Sequence, residues 1–150
     1  MIKDTYANFT KLLKEGEDGE DTVINFLQSR GNTIVDKARD KGYFPDWDIK
    51  FKNTLGTELT AEVKTDKSVS NNLVVEYKSR GKPSGIYSTK ADYYFIYFVN
   101  DGTIYVCNSA ELRLWISENS PKKVMNKNND SDTYLYLIPK DTGLFTPYEL

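Results

Sequence analysis

The sequence predicts one α/β domain, a mixed sheet flanked by helices. With 150 residues, 39% of them hydrophobic, the chain is long enough to build one core. Its first 30 residues carry apolar side chains at helical spacing, and SAELRLWISEN repeats that spacing later in the chain. Short segments rich in β-branched and aromatic residues lie between these regions, separated by turn residues. Such a mixture is typical of a mixed α/β or α+β sheet protein.

The N-terminal half is predicted to be helical first and then to form strands. Residues 4–30 are predicted as two helices, divided at Gly16 and Gly19 and ending at Gly31, since glycine commonly ends a helix. NTIVDKA is the first predicted strand, and the turn-rich ARDKGYFP follows it. We expect WDIKFK and ELTAEVKT to pair as a hairpin around NTLGT.

The C-terminal half adds strands and one helix. LVVEYKS is predicted as a third hairpin partner, RGKPSG as a loop, and IYSTKA as a short helix or turn. DYYFIYFV is apolar enough for a buried central strand, and NDG turns the chain into TIYVCN. SAELRLWISEN is predicted as a helix with Ser109 as N-cap. KKVMNKNNDSDT is predicted as a mobile loop, and TYLYLIP as the final strand.

The composition excludes several kinds of chemistry. The chain has no histidine, so Ser-His-Asp and Cys-His nucleophile systems and the usual imidazole zinc sites cannot form. Cys107 is the only cysteine, so no internal disulfide can form. The groups that remain available for catalysis are carboxylates, lysine, tyrosine and a hard cation bound by oxygen ligands. No apolar run approaches the roughly 20 residues of a membrane span, and no signal peptide is recognisable, so we expect a cytoplasmic protein.

Acidic residues and one lysine cluster on the predicted hairpin. Asp46 and Asp48 stand two apart at the start of its first strand, and Glu62 and Lys64 stand two apart on its second. Residues two apart on a strand share a face, so Asp48, Glu62 and Lys64 are expected to converge. Carboxylates suit Mg²⁺ or Mn²⁺, and a neighbouring lysine can position or activate a bound water. Two surface strands joined by ordinary salt bridges are the alternative interpretation.

The run Pro45-Asp46-Trp47-Asp48, followed 14 residues after Asp48 by Glu62-Val63-Lys64, resembles the signature of the PD-(D/E)xK nucleases. The resemblance covers roughly residues 16–99. It implies a restriction-endonuclease-like mixed central sheet with an αβββαβ core, in one domain over residues 1–150. It also implies that Asp48, Glu62 and the carbonyl of Val63 hold Mg²⁺ or Mn²⁺. Asp46 competes with Asp48; we favour Asp48, because it enters the apolar strand, and keep Asp46 as a substitute or supporting ligand.

Further residues enter through the same resemblance. Glu20 in EDTVINFLQSRGN looks like the first-helix glutamate of archaeal Holliday-junction resolvases, and Glu17 is the alternative. VVEYKSRGKPSGIYSTKADYYFIYF resembles a block in small phage-encoded nucleases of this superfamily. That likeness implies that Glu76 lies on the strand beside Glu62, near the metal or its water, and that Lys90 faces the site.

A basic window suggests where DNA is bound. Residues 63–91 contain six bases against the two acids Asp66 and Glu76, whereas the whole chain has a net charge of −2. A solvated loop and strand edge is the plain alternative. We expect the phosphate contacts to come from Lys67, Lys78, Arg80, Lys82 and Lys90.

Together these features predict a Mg²⁺-dependent DNA endonuclease that hydrolyses phosphodiester bonds. Its resemblance to junction resolvases favours branched DNA and a symmetric homodimer. A nonspecific or recombination-associated nuclease is the alternative within the enzyme class. The alternative from another class is a catalytically inactive nuclease-like module that binds DNA or a protein; an acidic stretch over residues 1–31 suits that role.

Overall fold

The computed structural model describes residues 2–127 and 132–150, which form a mixed α/β structure, as the sequence predicts. Two α-helices and ten strands are present among these residues. In chain order they are α1 (Ile2–Ser29), β1 (Thr33–Lys37), β2 (Ile49–Lys52), β3 (Glu58–Asp66), β4 (Asn72–Ser79), β5 (Lys82–Pro83), β6 (Tyr93–Phe98), β7 (Thr103–Asn108), α2 (Ser109–Asn119), β8 (Lys122–Lys127), β9 (Asp132–Pro139) and β10 (Thr146–Glu149). No helix in this described part is both long and apolar enough to cross a membrane.

The strands form two sheets. The large sheet has the order β1-β2-β3-β6-β7-β10, in which only the β3–β6 pair is parallel. The small sheet has the order β5-β4-β9-β8 and is antiparallel throughout. The parallel pair needs a crossover, because neighbouring parallel strands cannot be joined by a tight turn. That crossover contains β4, β5 and a 3-10 helix at Gly85–Tyr87, where an αβββαβ core would have an α-helix.

The small sheet corrects two expectations from the sequence. LVVEYKS is a strand, but it pairs with β5 and β9 and not with β3, so Glu76 is not on the strand beside Glu62. KKVMNK forms strand β8 on β9 rather than a loop. The rest of the predicted mobile loop includes residues 128–131, which lie outside the described residues. TYLYLIP is a strand as predicted, but β10 follows it and pairs with β7.

The N-terminal region is one continuous helix, so the predicted division at Gly16 and Gly19 is wrong. Gly19 has a packing role instead. A β-carbon at this position would overlap Oγ1 of Thr65, so its absence lets α1 lie close against β3. Val23 and Leu27 continue that contact into a core formed with residues of β2, β3 and β6.

Strand β6 is the buried central strand that the sequence predicts. Tyr94, Ile96 and Phe98 face a second core shared with α2 and the small sheet, while Phe95 faces the core under α1. Helix α2 begins at the predicted place, but its N-cap is Asn108 rather than Ser109. The Asn108 side chain accepts a hydrogen bond from the Glu111 amide, which satisfies a free helix N–H. The boundaries of a helix are defined only to within a residue or two, so the sequence pattern does not distinguish these two N-cap positions.

Candidate active site

A cavity of about 290 Å³ opens between α1 and the β2–β3 hairpin. Its lining includes Glu20 from α1, Asp48 from the approach to β2, and Glu62 and Lys64 from β3. Glu15, Gly16, Val63, Thr65 and Lys67 complete the lining. We call this space the carboxylate cavity. It brings together all four side chains that the sequence nominates as catalytic.

Asp48 is fixed by the backbone on both sides of its side chain. Its amide donates to the Ala61 carbonyl at 2.9 Å, and its carbonyl accepts from the Ala38 amide at 2.9 Å. The carboxylate accepts a 2.7 Å hydrogen bond from the Val63 amide, which aims it at β3. Burial raises the pKa of Asp48, and the Val63 hydrogen bond and the Lys64 charge only partly offset it. The carboxylate is therefore held in place at an electrostatic cost.

Glu62 is held from the opposite side by Thr89. The Thr89 hydroxyl is 3.0 Å from Oε1 of Glu62 and can donate to it. Thr89 is itself buried, and Arg113 of α2 donates to the Thr89 carbonyl at 3.0 Å. Burial raises the pKa of Glu62, Lys64 lowers it, and the nearby Asp48 raises it further. One end of this carboxylate is thus oriented, and the other faces Lys64.

Lys64 places its ammonium beside the carboxylates. Its Nζ lies 3.4 Å from Oε2 of Glu62, and its side chain is 39% exposed. Burial would lower the pKa of Lys64, but the surrounding acidic groups, Tyr94, Glu62, Asp48 and Glu76, outweigh it and raise the pKa above its ordinary value. Lys64 is therefore an ammonium at neutral pH. In this form it can donate hydrogen bonds and balance negative charge.

Glu20 reaches the cavity because Gly19 lets α1 lie close to β3. The Glu20 side chain is 18% exposed, and Nη1 of Arg39 is 3.9 Å from its carboxylate. Burial and the neighbouring Asp48 charge raise the pKa of Glu20 to about 7, against an ordinary 4.5. Arg39 opposes this shift, but its closer partner is Asp21 at 2.6 Å. Glu20 thus changes charge near neutral pH, which makes the charge of the cavity sensitive to pH.

The donor set suits a hydrated divalent cation more than a fully protein-bound one. Among the described residues, no three acidic or cysteine side chains come close enough to form a preformed metal-binding group. Mg²⁺, however, is commonly bound through one or two carboxylates and keeps several waters. Asp48, Glu62 and Glu20 all have pKa values that are raised chiefly by burial, and the positive charge of a bound cation would stabilise their ionised forms. The residues therefore fit Mg²⁺ or Mn²⁺ with water completing the shell.

The alternative acidic residues lie outside the carboxylate cavity. Glu17 is exposed on α1, and its backbone carbonyl, not its carboxylate, contacts Arg39. The Asp46 carboxylate is 3.9 Å from Nζ of Lys90, and the Asp46 carbonyl accepts from the Lys90 amide at 2.8 Å. Asp46 therefore shapes the loop that carries Thr89 rather than lining the cavity with Asp48.

Glu76 belongs to an adjacent space. A second cavity of about 170 Å³ is lined by Glu76, Tyr94 and Lys64, together with other residues of β3, β4, β6 and β9. Glu76 is one of the acidic groups that raise the pKa of Lys64. Its influence on the carboxylate cavity is thus exerted through the lysine.

The expected phosphate-binding residues fall into two groups. Lys67 lines the carboxylate cavity and pairs with Glu15 at 2.6 Å. Lys90 is expected on the short helix facing the site, but it follows the 3-10 helix and is not among the residues that line the cavity. Lys78, Arg80 and Lys82 lie on β4, the following turn and β5, all in the small sheet. The sequence window that joined them therefore corresponds to two separate places in the structure.

Sequence reasoning did not nominate three residues that shape the cavity. Thr89 orients Glu62, Arg113 fixes the Thr89 loop, and Arg39 lies between Glu20 and Asp21. None of them belongs to a short motif. Each acts through a contact at least 18 positions away in the chain, so no local signal reveals it.

Comparisons of the chain with protein-family models, with curated proteins and with solved structures found no match. Functional inference therefore depends on the geometry of the carboxylate cavity and on the surfaces around it. The arrangement combines acidic oxygens for a hard cation, a positioned ammonium, and space for a small hydrated group. Such a set suits an attack by water on an electrophile that carries negative charge.

Proposed function

We propose that this protein is a Mg²⁺- or Mn²⁺-dependent endonuclease that hydrolyses phosphodiester bonds in DNA. One observation carries the proposal: Glu20, Asp48, Glu62 and Lys64, from three separate elements, line one cavity. A phosphodiester is anionic and unreactive, so its hydrolysis needs an oriented water and positive charge at the phosphorus oxygens. The cavity offers residues for both needs.

Asp48 and Glu62, together with the carbonyl of Val63, would hold the metal, and Glu20 would complete the site directly or through water. A bound divalent cation supplies Lewis acidity and lowers the pKa of a coordinated water. The Val63 amide binds one oxygen of Asp48, and the Thr89 hydroxyl binds one oxygen of Glu62. They thus hold Asp48 and Glu62 in place before a ligand arrives, which reduces the cost of ordering the site.

Lys64 would contribute charge and orientation. As an ammonium beside Glu62, it can donate a hydrogen bond to the attacking water or to a phosphate oxygen, and it stabilises negative charge that develops there. Because the raised pKa of Lys64 favours its ammonium form, a carboxylate or solvent is better suited to take the proton of the attacking water. Glu20, whose pKa is about 7 in the metal-free chain, is the cavity group best matched to accept it in the neutral range, provided that Glu20 meets the metal through water and not directly.

A restriction-endonuclease-like fold is part of the proposal. In its favour, α1 is followed by the antiparallel strands β1, β2 and β3, and β6 then pairs parallel to β3. The carboxylates lie where β2 and β3 meet α1. The crossover departs from an αβββαβ core, because it contributes two strands to a small sheet where that core has an α-helix.

We further propose branched DNA as substrate and a homodimer as the working form, since junction resolvases cut two strands symmetrically. In this proposal Lys67 and Lys90 would contact phosphates near the cavity, and Lys78, Arg80 and Lys82 would contact them on the small sheet. A size measurement by light scattering tests the dimer. Equal cleavage of a four-way junction and a plain duplex would exclude selectivity for branches.

The decisive experiment is cleavage of labelled junction, duplex and single-stranded DNA with Mg²⁺, Mn²⁺ or EDTA. We expect metal-dependent cleavage that is lost in Glu62→Gln, a change that keeps the side-chain shape. Glu111→Gln, the same change in the first turn of α2, is the matched control and should cut normally. Cleavage by Glu62→Gln at the wild-type rate would overturn the proposal.

A binding module without catalysis is the second candidate. It is favoured by the absence, among the residues placed by the structure, of three side-chain ligands close enough to hold a metal. Titration calorimetry with Mg²⁺ and Mn²⁺ separates the two candidates. Binding that is lost in Glu62→Gln supports the nuclease, whereas DNA binding without any metal binding supports the module.

A further inference from the structure

Four tyrosines form a cluster on the small sheet and the adjacent 3-10 helix. Tyr77 of β4 stacks on Tyr136 of β9 with ring centroids 4.2 Å apart, and Tyr134 lies 6.1 Å from Tyr77. Tyr87 meets Tyr77 and Tyr136 edge to face, and its hydroxyl is 3.1 Å from that of Tyr136. Tyr136 is buried, Tyr77 and Tyr134 are half-buried, and Tyr87 is 43% exposed. Within this tyrosine cluster, Tyr136 is thus covered by protein, whereas Tyr87 is open to solvent.

Lysines lie directly on the cluster. Nζ of Lys78 is 5.2 Å from the Tyr134 ring centre, and Nζ of Lys123 is 5.9 Å from that of Tyr77. Among the carboxylates whose side chains the structure describes, none lies at ion-pair distance from either lysine. By contrast, Lys64, Lys67 and Lys140 each have an acidic partner within 4 Å. The cluster lysines are therefore available to an anionic ligand.

Charge is strongly segregated between the small sheet and the rest of the chain. The four strands and the β4–β5 turn carry six bases against Glu76 and Asp132, a net charge of +4. The remaining residues carry 14 bases and 20 acids, which gives −6 and accounts for the total of −2. Asp130, in the β8–β9 connection outside the described residues, would reduce the local excess to +3 if counted with the sheet. The six bases are Lys78, Arg80, Lys82, Lys122, Lys123 and Lys127.

We infer that the small sheet binds single-stranded nucleic acid, with unpaired bases stacking on the tyrosine cluster and the surrounding lysines contacting phosphates. Cationic groups alone attract any nucleic acid, since they respond to backbone charge. Accessible aromatic rings select unpaired strands, because the faces of paired bases are already stacked within a duplex. Lys78 and Lys123 already cover the rings, so an arriving base would replace an ammonium that then moves to a phosphate.

The cluster is connected to the carboxylate cavity through a short piece of chain. Tyr87 ends the 3-10 helix, and Thr89, two residues later, holds Glu62. A β-carbon on Gly85 would overlap the Glu76 carbonyl, so this helix lies tightly against β4. The idea that a nucleic-acid strand bound on the small sheet continues into the cavity rests on the proposed nuclease function. The binding of that strand to the sheet does not rest on it. An unpaired strand next to the cavity suits a nuclease that acts on branched DNA.

The test is fluorescence anisotropy with a labelled 20-nucleotide oligo-dT and a duplex of equal length, in EDTA, so that no cleavage is needed. We expect tighter binding of the single strand. Tyr87→Leu should weaken it about 5-fold or more, the range for loss of one stacked base. Tyr87→Phe keeps the ring and loses only the hydroxyl contact with Tyr136, so it should bind like the wild type.

A second pair of variants tests the lysines. Lys78→Gln with Lys123→Gln should weaken binding and make the logarithmic salt dependence shallower by about 1.4, since each phosphate contact on a single strand contributes about 0.7. The matched control is Lys41→Gln with Lys50→Gln, because these lysines lie over Phe44 and Trp47 in the same kind of ring contact. It should leave the affinity within about 2-fold of wild type, and circular dichroism verifies that all variants are folded.

Equal affinity for duplex and single strand, equal losses in Tyr87→Leu and Tyr87→Phe, or equal losses in the two lysine pairs would each overturn the inference. The proposed nuclease function fails by a different result, namely no metal-dependent cleavage. Single-strand binding that depends on Tyr87 without any cleavage would sustain this inference and reject the nuclease. Metal-dependent cleavage, with no contribution from Tyr87, Lys78 or Lys123 to single-strand binding, would support the nuclease and reject this inference.

Discussion

The Asp48 carboxylate accepts a 2.7 Å hydrogen bond from the Val63 amide, so a side chain before β2 is tied to the neighbouring strand. Asp48 and Glu62 are 14 positions apart in the sequence, yet this bond places the Asp48 side chain beside the Glu62–Val63 peptide. Asp48 is a partly buried carboxylate with a raised pKa, so its charge lowers the stability of the folded chain. Such unfavourable charges are typical of active sites.

Asp48→Asn should separate function from stability. The amide oxygen can still accept from Val63, but the charge that attracts a divalent cation is gone. We expect cleavage and Mg²⁺ affinity to fall by about 100-fold, the upper end of what loss of a ligand's supporting group costs, because here the ligand charge itself is removed. Because the raised pKa of Asp48 signals an unfavourable charge, the melting temperature without metal should stay equal or rise. A much lower melting temperature with full activity would contradict both expectations.

Lys64→Met should abolish cleavage without abolishing metal binding. The substitution keeps much of the aliphatic stem and removes the ammonium beside Glu62. Loss of one group that stabilises charge in the transition state commonly costs about 100- to 1000-fold in rate. Mg²⁺ should bind at least as tightly, since a competing cation has left the carboxylates. Calorimetry and a single-turnover cleavage assay measure the two effects, and loss of both together would assign Lys64 a structural role instead.

Local pattern predicts most strands of this fold but not their partners. β1, β3 and β6 could be predicted from alternation and apolar content, since those features depend on neighbouring residues. The partner of β4 could not, because its pairing with β9 spans about 60 positions, and a hairpin with β3 is equally consistent with the sequence. The single helix α1 was missed because Gly19 reads as a helix break, whereas its lack of a side chain serves contact with Thr65.

In the candidate site, too, residues that are close in the sequence could be predicted, whereas contacts between distant segments could not. Asp48, Glu62 and Lys64 could be nominated from spacing, because a hairpin fixes their relative positions. Thr89 could not, since its contact with Glu62 depends on the whole crossover between β3 and β6. The tyrosine cluster also brings together residues from β4, β9 and the 3-10 helix. The sequence places Tyr77, Tyr134 and Tyr136 on predicted strands but does not indicate that they meet.

Thr89→Val tests the hydrogen bond that orients Glu62. Valine has nearly the same shape but cannot donate to the carboxylate or accept from the Ala91 amide. Loss of a group that positions a metal ligand typically reduces activity or metal affinity about 10- to 100-fold. Thr89→Ser restores the hydroxyl and should recover most of the activity. A serine variant as poor as the valine variant would show that the methyl packing, and not the hydrogen bond, matters.

Glu20 should make the stability of the metal-free protein depend on pH. Its pKa is about 7 in the folded chain against 4.5 ordinarily, so the folded state binds the extra proton between these values. The associated stability is present at low pH and is lost as pH rises through about 7, at most roughly 3 kcal/mol. Asp48 and Glu62 shift in the same direction, so the comparison with Glu20→Gln isolates this residue.

Urea denaturation at pH 5.5 and at pH 8 provides that comparison. Wild type should lose more free energy of unfolding between the two pH values than Glu20→Gln does. Mg²⁺ binding should also strengthen as pH rises through about 7, because protons compete for Glu20. Equal pH dependence in the two proteins would mean that Glu20 does not carry the shifted pKa.

Gly19→Ala should open the carboxylate cavity by pushing α1 away from β3. A β-carbon there meets Oγ1 of Thr65, which a short side chain on a strand cannot move far. Overpacking of this kind typically costs about 1–3 kcal/mol, and the displaced helix also carries Glu20.

Gly16→Ala is the matched control, because a β-carbon at Gly16 meets nothing within 4 Å. Alanine has the higher helix propensity, so this variant should gain roughly 0.5–1 kcal/mol. Chemical denaturation of both variants shows whether each substitution lowers or raises the free energy of unfolding. If Gly19→Ala were as stable as Gly16→Ala and bound Mg²⁺ normally, the close approach of α1 to β3 would not be what sets the position of Glu20.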